Sequence, residues 1–215
     1  MKSLFSISIF SILFLGSLQA QNYIGVKGGY TNSWESYGIT QVPDEAEIDI
    51  NTFNASFFWY KNLSEKYQIG IEPGIVQRGA NCVPGFISPW LGDTRIKITY
   101  ASLPLNCRRN FVLADWLNVY LKAGPEFSAA IFAQEQLIEL ETGEVTDSRD
   151  LSIGRFGEVK QFNFGLSAGS GIEIPIGKGN MILEGVYYNS ISHAVPRAFS
   201  LNRNINVTLG YGIRI

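Results

Sequence analysis

Residues 161–188 read QFNFGLSAGSGIEIPIGKGNMILEGVYY and contain two strand-like segments joined by a tight turn. From Phe162 to Ile174 apolar residues recur at nearly every second position, and the residues between them are polar or very small. This period of two predicts a long β-strand with one apolar face and one small, polar face. Residues 176–180 supply the turn, and residues 181–188 form the second strand of the hairpin.

The small face of the first strand is the more informative one. Glycine and serine side by side weaken a strand unless something must approach it closely. The narrow, crowded lumen of a barrel is such a place, and the strand exceeds the roughly 9–11 residues needed to cross a bilayer. We therefore expect the apolar face to contact lipid and the small face to line a small barrel.

Six further segments have strand character, which brings the number of predicted strands to eight. They cover residues 23–34, 50–60, 67–78, 94–108, 116–132 and 204–215. Short and long connections alternate between them, as in outer-membrane barrels with short periplasmic turns and long external loops. The sequence predicts an all-β fold, an eight-stranded antiparallel up-and-down transmembrane β-barrel with both termini in the periplasm. In the fourth strand the apolar parity changes after Tyr100, which predicts a bulge near Ala101 and Ser102.

The first twenty residues read as a secretory signal peptide, with Lys2, an apolar stretch and a cleavage site after Ala20. Residues 21–215 would then form the outer-membrane β-barrel domain. Only 17% of the 215 residues are charged and the formal net charge is −2, with no basic stripe, so no nucleic-acid partner is expected. Two cysteines and one histidine make no metal cluster, and we expect no cofactor.

Aromatic residues cluster where the two girdles of a membrane barrel should lie, because amphipathic rings favour the headgroup level. The predicted periplasmic girdle consists of Tyr23, Trp59, Tyr60, Tyr67, Trp116 and Tyr211. The predicted external girdle consists of Trp34, Trp90 and Tyr187.

Four stretches are similar to PorT-like outer-membrane β-barrel proteins. Residues 99–105 (TYASLPL) resemble the YLEIPL strand of that family, and residues 120–125 (YLKAGP) resemble the strand that follows. The Gly-rich strand and turn of residues 165–175 and the closing strand of residues 206–211 also resemble the corresponding parts of that family. The chain departs from the family at Ala101-Ser102, which removes a lumenal carboxylate, and at its last residue, Ile215, which is not aromatic. The resemblance implies an integral eight-stranded barrel, and it makes envelope or secretion proteins expected partners besides the lipid bilayer.

Charged residues on the small faces are the candidate functional site. By parity they form a lumenal charge network of Glu72, Arg78, Lys122, Glu126, Glu173, Glu184 and Arg214, which Arg108 could join. The lumen of an eight-stranded barrel is only wide enough to be filled by side chains, and buried charges there should pair. We favour a salt-bridged plug with little conductance over a gated polar path.

Two other functions are kept as alternatives to a structural or secretion-assisting role through the long loops. His193, with Ser190 and Ser192 nearby, would be the base of an outer-membrane hydrolase if an acid lay beside it. A soluble periplasmic lipocalin-like carrier would instead need large apolar side chains pointing inward. We expect no enzyme activity.

The cysteines and the loop charges complete the predictions. Cys82 should lie in an outer loop and Cys107 near the periplasmic end, facing lipid, so that both remain free thiols. Two long loops are acidic, and we expect solvated tips or a docking surface. Their acids are Glu35, Asp44, Glu45 and Glu47 in the first loop, and Glu135, Glu139, Glu141, Glu144, Asp147 and Asp150 in the third.

Overall fold

The computed structural model describes residues 22–37, 49–82, 93–139, 144–154, 157–194 and 200–215. These residues form ten β-strands. They are β1 (Asn22–Tyr37), β2 (Ile50–Asn62), β3 (Tyr67–Ile71), β4 (Gly74–Cys82), β5 (Asp93–Ala114), β6 (Leu117–Ile138), β7 (Val145–Asp150), β8 (Phe162–Ile176), β9 (Gly179–Ser190) and β10 (Ser200–Arg214). No helix in this part of the chain is long and apolar enough to span a membrane.

Nine of these strands close into a ring of eight barrel strands. β3 and β4 are two parts of one barrel strand, separated at Glu72 and Pro73, and both pair with β2 and β5. β7 lies outside the ring and pairs with β6 alone. The antiparallel pair of β1 and β10 closes the circuit, which confirms the predicted eight-stranded up-and-down barrel.

The short turns and both ends of the described chain lie at the same end of the barrel. Residues 63–66, 115–116 and 177–178 make the short connections, and Gly177 adopts a φ of 63° in the last of them. Asn22 and Ile215 exchange two backbone hydrogen bonds of 2.8 Å. This is the periplasmic end in the predicted orientation, and the long connections lie at the external end.

The alternation of faces follows the prediction. Leu209 is 57% exposed, whereas Glu72, Asn163 and Thr208 on the opposite parity are buried. Phe164 packs against Phe127 on the outer wall with ring centroids 5.1 Å apart. The large exposed side chains therefore form an outward apolar band, which is the surface that a barrel presents to acyl chains.

Two members of the predicted periplasmic girdle were placed on the wrong face. Tyr23 and Tyr60 point inward and are 2% exposed, whereas Trp59, Tyr67 and Tyr211 are exposed on the outside. An inward tyrosine is possible here because its hydroxyl finds polar partners in the lumen. Trp34 and Tyr187 pack together at the external end, with ring centroids 6.3 Å apart.

Small residues on the inner face make room for these inward rings. A Cβ atom at Gly171 would lie 2.4 Å from the ring of Tyr120, and one at Gly165 would lie 2.6 Å from the ring of Tyr188. Close approach is thus the reason for the glycines of β8, as the sequence indicated.

The predicted bulge near Ala101 and Ser102 is wrong. Tyr100 and Ser102 both face inward, so β5 keeps its parity there, and the inward residues merely change from apolar to polar. The register instead shifts between Thr99 and Tyr100, which pair with Phe132 and Ala130, so that Ile131 is the extra residue on β6.

β5 and β6 have 22 residues each and rise above the other strands at the external end. Inside this extension lies a buried apolar cluster. Its members from the barrel wall are Val76, Ile96, Ile98, Tyr100, Ala130 and Ala133, and Leu151, Val159 and Ala194 come from the connections above. We call residues 151–154, 157–160 and 193–194 the cap.

The cap is tied to the barrel by its backbone. Leu151 N donates to Ala133 O of β6 at 2.9 Å, and within the cap Lys160 N donates to Ala194 O at 2.9 Å. An isolated bridge joins Ile153 to Val159 within it. Apolar burial and these hydrogen bonds hold the cap across the external mouth.

The two cysteines lie far apart, as predicted. Cys107 is an exposed free thiol on the outer face of β5. Cys82 ends β4 rather than lying in a loop, and it pairs in register with Thr94. Thirteen residues of β5 separate Thr94 from Cys107, which at ~3.3 Å per residue is far beyond disulfide distance.

Several predictions lie outside the described residues. They are the signal peptide at residues 1–20, Trp90 of the external girdle, and the loop acids Asp44, Glu45, Glu47 and Glu141.

Candidate functional site

Four charged side chains of alternating sign meet at the centre of the lumen. The ammonium of Lys27 lies 2.8 Å from Glu72 and 2.5 Å from Glu184. The ammonium of Lys122 lies 2.8 Å from Glu72 and 2.9 Å from Glu184. All four side chains are at most 6% exposed, so the charges are compensated almost entirely by one another. We call these four residues the central tetrad.

The four residues of the tetrad come from alternate strands around the ring. Lys27 lies on β1, Glu72 between β3 and β4, Lys122 on β6 and Glu184 on β9. In an eight-stranded barrel the inward side chains of alternate strands share a layer, so four residues meet at one height. A cavity of about 50 Å³ adjoins the tetrad and is lined by its four residues, by Arg78 and Glu126, and by small residues such as Ser56, Ser102 and Thr208.

Two tyrosine hydroxyls complete the tetrad's hydrogen bonding. Tyr60 donates to Glu72 at 2.5 Å, and Tyr120 donates to Glu184 at 2.8 Å. Glu72 also accepts hydrogen bonds from both lysines, and Glu184 accepts one from Lys27 and is ion-paired with Lys122. Buried carboxylates with several donors of this kind are well satisfied.

A second ion pair lies on the periplasmic side of the tetrad. The guanidinium of Arg108 is 2.6 Å from Glu173, and it lies over the ring of Tyr120 at 3.6 Å from the centroid. Tyr23 and Tyr60 stand around the same guanidinium. The pair is thus enclosed by aromatic faces, which stabilise a cation as well as fill space.

A third pair lies on the external side, between Arg78 and Glu126. Arg78 also donates to Ser128 Oγ at 3.3 Å and lies 3.7 Å from the ring centroid of Tyr188. Together the three layers hold four cations and four carboxylates, so the paired charges of the lumen sum to zero.

The structure places six of the seven predicted network residues, and Arg108, in these layers. Arg214 is the exception: it has the inward parity, but it lies at the periplasmic mouth and is exposed. It joins none of the ion pairs found among the described residues. Parity fixes the face of a strand residue but not its height, and β10 ends at Arg214.

Sequence reasoning missed Lys27. The signal was available, because Gly25, Lys27, Gly29 and Thr31 alternate with Ile24, Val26 and Tyr30. Lys27 has the same parity as Tyr23, which was predicted to belong to the periplasmic girdle but faces the lumen.

Two acids predicted to lie in solvated loops are buried on extended strands. Glu35 belongs to β1 and Glu135 to β6, and both are at most 1% exposed. Glu135 pairs with Arg149 at 2.5 Å, and Arg149 reaches Glu158 of the cap at 3.0 Å. The acids ended up inside because β1 and β6 continue beyond the predicted strand ends.

His193 lies in the cap and is half-buried. The hydroxyl of Ser190 donates to Ser192 O at 2.5 Å, and Ser192 Oγ accepts from Phe164 N at 2.8 Å. Both serine hydroxyls therefore form hydrogen bonds with nearby backbone groups. Among the described residues no cluster of three or more His, Cys, Asp or Glu is placed to hold a metal.

Among the described residues, the lumen opens at the periplasmic end. A cavity of about 680 Å³ lies there, lined by polar residues that include Gln68, Asn118, Glu173 and Arg214. Above it the ion-paired layers fill the centre, and the cap covers the apolar cluster at the external mouth. This arrangement is a plug built from the barrel's own side chains.

Comparison with known proteins agrees with this architecture. The sequence profile of the outer membrane protein beta-barrel domain family matches residues 19–195. No curated protein matches the chain in sequence. The crystal structure of Neisserial surface protein A is similar over 91% of this chain and 99% of its own, with 11% identity and a TM-score of 0.51.

Two other solved structures are similar at lower TM-scores. Ail, the attachment invasion locus protein of Yersinia pestis, in complex with the heparin analogue sucrose octasulfate, has 12% identity and a TM-score of 0.45, over 90% of this chain and 99% of Ail. The outer membrane protease OmpT from Escherichia coli has 13% identity and a TM-score of 0.39, over 91% and 97%. The profile match covers most of the chain, and the closed eight-stranded ring agrees with a β-barrel domain. The chain is therefore a member of the outer membrane protein beta-barrel domain family, an integral barrel of the outer membrane.

Proposed function

We propose that the protein is a non-enzymatic, closed barrel that acts through its external loops, in a structural or secretion-assisting role, on other envelope proteins. The observation that carries the proposal is the filled lumen, with its central tetrad, two further ion pairs and the cap. A lumen filled in this way offers no continuous polar path, so the loops are the surface left for function.

The absence of enzyme activity is part of the proposal. It is supported by the hydrogen bonds of Ser190 and Ser192, which engage both hydroxyls with the backbone near His193. A nucleophilic serine needs a base that accepts its proton, and here the Ser190 hydroxyl donates to the backbone carbonyl of Ser192. The soluble-carrier alternative fails, since charged pairs rather than large apolar side chains fill the centre.

The loop surface best suited to a partner is the arm formed by β7 and the end of β6. β7 pairs with β6 along one edge, and the described chain places no strand on its other edge. Asp147 and Asp150 are exposed on the arm, whereas Arg149 turns to Glu135 and Glu158. An open acidic edge fits an extended, basic segment of a partner that adds as a further strand.

Electrical recording tests the closed lumen. In planar bilayers the wild type should give no large, stable conductance steps. Replacing the whole central tetrad by serine removes the blocking side chains without changing net charge, and should raise conductance. Replacing Glu65 and Lys66, which are exposed in a turn, by serine is the matched control. Large stable steps from the wild type would contradict the plug.

Site-directed photocrosslinking in intact cells tests the arm. A crosslinker at Ser148 should capture one discrete envelope protein, and changing Asp147 and Asp150 to Asn should weaken that capture several-fold. Changing the turn acids Glu65 and Asp115 to Gln and Asn should leave it intact. Equal capture by all variants, or none from wild-type cells, would argue against docking at this edge.

A further inference from the structure

The outer wall changes character abruptly where β4, β5 and β6 leave the apolar band. On β5 the outward residues run Leu105, Leu103 and Ala101, and then Thr99, Lys97 and Arg95. The register places the same change on both neighbours. On β6, Phe127 and Ile131 give way to Gln134 and Gln136, and on β4, Ile75 gives way to Gln77 and Asn81. We call Gln77, Asn81, Arg95, Lys97, Gln134 and Gln136 the outer patch.

The register fixes the arrangement of the outer patch. Arg95 pairs with Asn81 on one side and with Gln136 on the other, and Lys97 pairs with Gln134. The two cations are two residues apart on one face of one strand, so they are neighbours in space. Neither takes part in the ion pairs formed among the described residues, whereas the lumenal cations all do.

Side-chain hydrogen bonds hold the patch in shape. Arg95 Nε donates to Asn81 Oδ1 at 2.8 Å, and no hydrogen bond of the two terminal amino groups is found among the described residues. Gln136 Nε2 donates to Gln134 Oε1 at 2.9 Å. A guanidinium oriented in this way beside an ammonium matches the oxygens of a phosphate, which accept paired N–H donors.

We propose that the outer patch binds the phosphate of a lipid in the outer leaflet, whose acyl chains lie on the apolar wall directly below. The geometry favours a lipid over a soluble phosphate because the patch faces sideways and continues without a break into the surface of Ala101, Leu103 and Phe127. Leu103 and Phe127 are among the exposed large apolar residues of the wall. The amides on both flanks donate to the ester or sugar oxygens of the same headgroup.

Native mass spectrometry of the full-length protein from nanodiscs tests the proposal. The nanodiscs contain phosphatidylcholine with a minor fraction of phosphatidic acid, and the bound lipids are counted after release. The wild type should retain phosphatidic acid in preference to phosphatidylcholine. The double variant Arg95→Gln, Lys97→Gln should lose that preference by about tenfold, since each basic side chain at a membrane surface contributes separately to anionic-lipid binding.

Two matched variants separate the site from general charge and from misfolding. Lys61→Gln with Lys66→Gln removes two cations at the periplasmic end and should leave retention unchanged. Arg95→Lys with Lys97→Arg keeps both charges and should retain the lipid. Equal loss in the outer-patch and periplasmic variants, or no preference in the wild type, would overturn the proposal. Equal binding of glycerol phosphate, which has no acyl chains, would overturn the assignment to a lipid.

Discussion

Gly171 and Gly185 lie on neighbouring strands and face opposite sides of the barrel wall. An added Cβ at Gly171 would lie 2.4 Å from Tyr120, whose hydroxyl holds Glu184. An added Cβ at Gly185 would meet nothing within 4 Å. The same residue type is thus required by the lumen at one position and merely tolerated by the outer wall at the other.

A pair of alanine variants measures this difference. Gly171→Ala should lower the free energy of unfolding by about 1–3 kcal/mol, because Tyr120 must move and its hydrogen bond to Glu184 is disturbed. Gly185→Ala should change it by less than about 0.5 kcal/mol. Urea unfolding in lipid vesicles gives both values. Similar losses for the two variants would mean that the inner rings are not in contact with β8.

Among the elements, the cap depends most on a single acid. Ser152 N donates to Glu158 at 3.1 Å, and Arg149 lies 3.0 Å from it. The hydrogen bond from the Ser152 backbone, followed by the nearby Arg149 guanidinium, holds the pKa of Glu158 below its usual value. Ionised Glu158 therefore closes the cap onto the β6–β7 arm.

Acidification should loosen the cap. A depressed pKa gives stability that is complete above the pKa of the unfolded chain and is lost as the pH falls through the pKa of the folded one. Hydrogen exchange of the Ser152 and Val159 amides should accordingly speed up, relative to barrel amides, below about pH 4. In Glu158→Gln these amides should exchange faster at neutral pH and show no further change on acidification. A pH response that persists in this variant would assign it to another group.

Most of the strands were predicted from the alternation of apolar and polar residues. Particular residues show where that pattern is insufficient. It located Glu72, Lys122 and Glu184 because a strand residue's face follows from its parity. It failed for the external end of β6, since the predicted strand ended at residue 132 and Gln134 and Gln136 were therefore assigned to a loop. Glu135 was lost with them. Which charges pair also depends on register across strands distant in sequence, and no single segment encodes that.

At the scale of the whole molecule, the distribution of polar and apolar side chains is the reverse of that in a soluble domain. Apolar side chains such as Leu209 and Leu183 lie outside, and ions lie inside. Leu209 pairs with Leu183 one position from Glu184, so it stands at the height of the central tetrad, near the middle of the apolar band.

An arginine at this height should hinder membrane insertion. Leu209→Arg should make folding into a bilayer less favourable by about 2–4 kcal/mol, the cost of arginine on the lipid face near the midplane. Leu63→Arg, in an exposed turn, should have an effect of about 0–1 kcal/mol. Folding titrations in vesicles measure both. Equal effects would mean that Leu209 does not face acyl chains.

The central tetrad has a consequence for the order of assembly. Its members come from positions 27, 72, 122 and 184, so no hairpin contains a complete set. Any intermediate that lacks one of the four contributing strands would leave an uncompensated charge facing hydrocarbon or an incompletely closed wall. The chain should therefore enter the membrane cooperatively, and the meeting of its first and last strands should coincide with neutralisation of the interior.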